Sequence, residues 1–119
     1  MNNKEKLKLF WKITKHINKK FCNNQLEISR IIHFKKGDLD KSFPNKDGWY
    51  FNEKKSILIK KDEALVMQLI ILAHELAHAY QHQILKHKRL RHGKKGEKVY
   101  QKFLKETDKF MSNLFYHPF

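Results

Sequence analysis

Two histidines and a glutamate in the stretch ILAHELAHAYQHQ, residues 71–83, are the residues whose types and spacing could do chemistry. On a helix, residues four apart lie on one face with their side chains one above the other. His74 and His78 can therefore aim both imidazoles at one ion and supply two ligands of a tetrahedral zinc site. Glu75 follows His74 by one residue, about 100° round the helix. That is poor placement for a third ligand and good placement for a base beside an activated water, the logic of H-E-x-x-H. Such a pattern also arises by chance on helix surfaces. Here it falls in the most apolar run of the chain, where an unpartnered imidazole or carboxylate would cost a few kcal/mol to bury.

A catalytic zinc needs a third protein ligand. His82 continues the four-residue series, but it lies about 12 Å along the axis from His74. His87 falls at or beyond the helix end. His92 follows a charged loop and precedes Gly93, where the chain can turn back toward the metal. Glu97, nineteen residues after His78 by sequence number, is the alternative ligand. Acids also favour the first turn of a helix for dipole reasons alone. Tyr80, Tyr100 and His82 are candidate donors to a substrate oxyanion.

HELAHAYQHQ followed by RHGKKGEKV resembles the SprT-like, or Spartan-type, zinc metallopeptidase domain. That family carries H-E-L-x-H with an aromatic two residues on, then a third histidine followed by glycine. His74, Glu75 and His78 match the first part, and His92 with Gly93 matches the second. GWYFNEKKSILIK stands where the family has a glycine-aromatic hairpin. The resemblance implies a zincin-like fold, one zinc ion held by His74, His78 and His92, and Glu75 as the catalytic base. It also implies a protein or peptide substrate and DNA, single-stranded or protein-linked, as a partner. Gly96 stands where family members usually have an aromatic, which keeps Glu97 open as the third ligand. The cysteine zinc ribbon of longer relatives is not found in residues 1–119, so the expectation is a single SprT-like domain.

The elements that must position these groups read as α+β. Leu7, Phe10, Trp11, Thr14, Ile17 and Phe21 recur at helical spacing, so residues 4–21 are expected to be a helix that CNNQ ends. Residues 26–34 have strand composition. Residues 49–51 and 56–60 form a hairpin across NEKK. Asp62 is an expected cap or first-turn acid for a long buried helix over 64–86. Residues 97–115 make the last helix. The three strands are expected to form a small antiparallel sheet, with an N-terminal helix, a central HExxH helix and a C-terminal helix about it.

The net charge is +14. A polyanion, most often nucleic acid, is the usual partner of such a chain. Lys86, Lys88, Arg89, Arg91, Lys94 and Lys95 cluster about the proposed third ligand as candidate nucleic-acid contacts, and the opening helix is lysine-rich as well. A solvated lysine surface is the competing explanation. The single cysteine, Cys22, excludes an internal disulfide and a cysteine-rich zinc site. It reads as a small buried apolar residue. The N-terminal stretch has no apolar signal core and no run is long enough to span a bilayer, so an intracellular, non-secreted protein is expected, cytoplasmic or within a host cell. The alternative to a peptidase is a non-catalytic basic nucleic-acid-binding regulator on a zincin-like scaffold. An intact Glu75 favours the peptidase.

Overall fold

The computed structural model describes residues 1–35, 47–87 and 93–115. The order is α1 (Asn3–Phe21), β1 (Arg30–Phe34), β2 (Gly48–Phe51), β3 (Ser56–Lys60), α2 (Leu65–Gln83) and α3 (Lys94–Phe115). This is the expected α+β arrangement of three helices and a three-stranded sheet.

Helix α1 starts at a capping box. The Glu5 N–H donates to Asn2 Oδ1 at 2.8 Å, and the Asn2 N–H donates to Glu5 Oε1 at 3.1 Å. Two orphan amides are thereby satisfied. The helix buries Leu9, Phe10, Ile13, Thr14 and Ile17. Leu7, Trp11 and Phe21, expected in the stripe, flank it half-buried. The helix ends where Asn23 and Asn24 take φ of 53° and 59°. Asparagine tolerates this left-handed region better than most residues. The Asn18 side chain then grips the departing chain, accepting from the Leu26 N–H and donating to the Leu26 carbonyl, both at 2.9 Å.

The sheet order is β1-β3-β2, with β2 antiparallel to β3 and β1 parallel to it. The all-antiparallel expectation is therefore corrected. The hairpin fixes β2 against β3, as read from the sequence, but β1 pairs with the far edge of β3 and not with its sequence neighbour. Residues 26–29 are also not strand. At Leu26 and Glu27 the backbone is taken by side chains: besides the Asn18 bonds to Leu26, Gln83 accepts from the Glu27 N–H and donates to the Glu27 carbonyl, at 2.6 and 2.7 Å.

Helix α2 packs against α3, β2, β3 and α1. Its N-cap is Ala64, without a side-chain cap bond, so Asp62 is not the cap. The start of α2 is held instead by fully buried Gln68, whose Nε2 donates to the Glu63 carbonyl at 2.8 Å and the Lys61 carbonyl at 3.3 Å. Its Oε1 lies 2.7 Å from His33 Nε2. Because that oxygen can only accept, His33 carries its proton on Nε2. Burial, ahead of repulsion from Lys6 and Lys61, holds the His33 pKa below its ordinary value although the Gln68 bond opposes this. The core joins Phe10, Ile13 and Ile17 of α1 to Ile57 and Ile59 of β3, Leu72 and Leu76 of α2, and Phe103 of α3. Cys22 is buried as expected, and burial raises its thiol to about 11, keeping it protonated and inert. Among the described residues no helix is long and apolar enough to cross a membrane.

Helices α1 and α3 are joined by an ion cluster. Buried Glu106 lies 2.7 Å from His16 Nε2 and accepts from Lys20 Nζ at 3.0 and 3.1 Å. Burial works against the carboxylate, but the bonds from His16 and Lys20 outweigh it and hold its pKa below the usual range. A folded-state pKa below the unfolded one gives stability that is present at neutral pH and is lost as pH falls through the folded value. Glu106→Gln is thus expected to cost about 1–2 kcal/mol at pH 7. In thermal melts its gap from the parent protein should close toward pH 3; a gap that persists there would assign the effect to packing.

Candidate metal centre

The helical spacing of His74 and His78 brings their Nε2 atoms within 3.0 Å of each other. The rings meet edge to face, with centroids 4.6 Å apart. Two nitrogens about 2.0–2.1 Å from one tetrahedral zinc would stand about 3.3–3.4 Å apart. A few tenths of an ångström of opening would make this pair a two-ligand claw. The His78 Nδ1 lies 3.3 Å from Gln81 Oε1, and a proton on Nδ1 would leave Nε2 as the bare nitrogen a metal requires. Sequence reasoning missed Gln81. The signal was its position three residues after His78, on the same helix face. Its amide is buried.

Both histidines line a small cleft between α2 and α3, about 10 Å³ in volume and partly open to solvent, with Ala77, Gln81, Gly96, Glu97 and Tyr100. Ala77 and Gly96 keep the walls low beside the imidazoles. The Tyr100 ring packs edge-on against His74, centroids 5.4 Å apart. Burial, assisted by the Glu97 charge, raises the Tyr100 pKa, so its hydroxyl stays a hydrogen-bond donor at neutral pH. The other two candidate oxyanion donors sit elsewhere. Tyr80 packs on Phe103, and His82 Nδ1 lies 3.1 Å from the Tyr50 hydroxyl.

Of the two candidate third ligands, His92 lies outside the described residues, as do Lys88, Arg89 and Arg91. Glu97 lines the cleft, and its Oε1 accepts from Gln101 Nε2 at 2.8 Å. Among the described residues no three His, Cys, Asp or Glu side chains gather closely enough to hold an ion. Lys86, Lys94 and Lys95 are exposed.

Glu75 is 6% exposed and sits against the start of β2. A Cβ at Gly48 would come 2.3 Å from Ile71 Cγ2, 3.1 Å from Glu75 Oε2 and 3.2 Å from the Leu58 carbonyl oxygen. Gly48, read from sequence as turn punctuation, is what lets β2 approach the turn of α2 that carries Glu75. The β-branched Ile71 cannot swing aside as a flexible tip could. Gly48→Ala is expected to destabilise by about 1–3 kcal/mol through overpacking. Chemical denaturation reads this directly, and an unchanged midpoint would mean that β2 has room to shift. No match to this chain was found among protein-family models, curated proteins or solved structures.

Proposed function

We propose that the chain is a zinc-dependent peptidase. The observation that supports this reading is the convergence of the His74 and His78 Nε2 atoms at a cleft, 3.0 Å apart, with Glu75 on the same helical turn. His74 and His78 would hold the ion, with His92 as third ligand and Glu97 as the alternative. Zinc held there would supply a Lewis acid that acidifies a water and polarises a peptide carbonyl.

The chain's own residues do the rest. Gln81 would hold the His78 ring with its bare nitrogen toward the cleft. Glu75 receives the proton of the attacking water on its carboxylate and returns it to the leaving amine nitrogen. Tyr100, kept protonated, can donate to an oxygen entering the cleft.

The test is hydrolysis of an unfolded protein substrate by zinc-loaded protein, by protein stripped with a chelator, and by stripped protein given zinc again. Cleavage should vanish on stripping and return with zinc. Cleavage that survives stripping contradicts the reading.

A further inference from the structure

The five lysines of α1 at positions 4, 8, 12, 15 and 19 are all exposed. At 100° per residue they fall within an arc of about 80° along about 22 Å of helix. Helix α3 repeats the device with Lys94, Lys95, Lys98, Lys102, Lys105 and Lys109, also all exposed, within about 100° and along a similar length.

The side-chain contacts show how the two rows are disposed. His16 meets Glu106 and Phe110, while Lys20 meets Glu106 and Phe21 stacks on Phe103. Rising numbers in α1 meet falling numbers in α3, so the helices are antiparallel neighbours. Both bury a second side in the common core through Phe10, Ile17 and Phe103. With the seam and the core fixed, helical geometry puts both lysine rows on the same outward side, displaced end to end: they run side by side, about 8–10 Å apart, only where Lys15 and Lys19 pass Lys109 and Lys105. Among the described residues none of these lysines forms an ion pair. The acid in the seam, Glu106, is covered and already answered by Lys20 and His16. Glu5 is engaged in the α1 cap, and Asp108 lies at the margin of the α3 row.

We infer that this continuous basic face, running along α1 and on along α3, docks the phosphate backbone of a nucleic acid. Like charges this close repel, a cost that a polyanion laid along the face relieves. The face is long, narrow and regularly spaced, which suits a chain with charges at fixed short intervals. A bilayer surface fits less well, because a helix lying on lipid needs a free apolar side, and here the apolar sides of both helices are spent in the core. The exposed large apolar residues among those described (Met1, Val66, Met67, Leu85 and Leu114) lie outside the rows. Lysines on phosphates position without reading bases, so binding is sequence-independent. Lys94 and Lys95, at the cleft end of the α3 row, adjoin Gly96 and Glu97 of the cleft wall, but the face as a whole stands or falls independently of zinc and of peptide hydrolysis.

The experiment measures anisotropy of labelled mixed-sequence oligonucleotides of about 20 nucleotides, single-stranded and duplex, against the full chain over a range of salt. With at least five contacts, the log–log slope on duplex should be about −4 or steeper. Replacing Lys8, Lys12 and Lys15 by Gln, or Lys98, Lys105 and Lys109 by Gln, should each weaken binding about tenfold or more near 0.1 M salt and flatten the slope by about 2–3. Arg30, Lys54 and Lys61 replaced by Gln remove equal charge elsewhere and should weaken binding less than about threefold. Should a triple variant fail to fold by circular dichroism, Lys12→Gln and Lys105→Gln singly should each flatten the slope by about 0.9. Equal loss in the control set, no binding at low salt, or tighter binding to phosphatidylserine vesicles than to either oligonucleotide would each overturn the inference.

Discussion

Glu75→Gln is expected to lower kcat for peptide hydrolysis by about 10²–10⁴-fold while leaving zinc bound. The substitution keeps the shape of the side chain, so its packing against β2 at Gly48 should survive. It removes only the capacity to take a proton. An interaction made in the transition state and not in the ground state appears in kcat with KM nearly unchanged. The parallel zinc determination matters, because loss of activity together with loss of metal would implicate the site as a whole and not the base. A variant that cleaves at the parent rate, zinc in place, would remove Glu75 from the mechanism.

Replacing either histidine acts on the earlier step. His78→Ala and His74→Ala should each weaken zinc binding by more than the about 10–100-fold that loss of an outer-shell partner brings. The reason is geometric. The two Nε2 atoms already stand 3.0 Å apart, and removal of one leaves a single imidazole in the cleft. Hydrolysis should fall with the metal. Competition against a chromophoric zinc chelator gives the affinity for the parent protein and both variants. Equal affinity in all three would place any bound zinc somewhere other than this helix.

Elements with strong periodicity were legible in the residues. The apolar spacing of α1, the continuous apolar run of α2 and the stripe of α3 each produced a helix near its expected bounds. The NEKK turn placed the hairpin. Partnerships that depend on distant residues were not legible. Short strands do not encode which neighbour they choose, so the parallel pairing of β1 with β3 could not be read from RIIHF. Residues 26–29 have strand composition, yet Asn18 and Gln83 occupy the backbone groups of Leu26 and Glu27, and neither side chain signals this in sequence. Ala64 as an uncapped N-cap became intelligible only through Gln68, one turn inside the helix.

The candidate site shows the same division. His74 and His78 meet because the helix repeat requires it, so that pair was legible from spacing alone. Gln81 follows the same repeat but is recognised only once its oxygen lies beside His78 Nδ1. Gly48 is a steric requirement of the fold, set by Ile71 and Glu75 from another element. The lysine rows are periodic in sequence. That they share a face follows from the His16, Lys20 and Phe21 contacts across to α3, which no local pattern contains.

The central claim is that two imidazoles one helical turn apart grip a single ion, and zinc content per chain tests it most directly. Elemental analysis should be made on the protein purified with zinc present and then dialysed, beside a variant carrying both His74→Ala and His78→Ala. The account predicts about one zinc per chain in the parent protein and essentially none in the double variant. A folded parent protein free of zinc, or a double variant that keeps as much zinc as the parent, would contradict it.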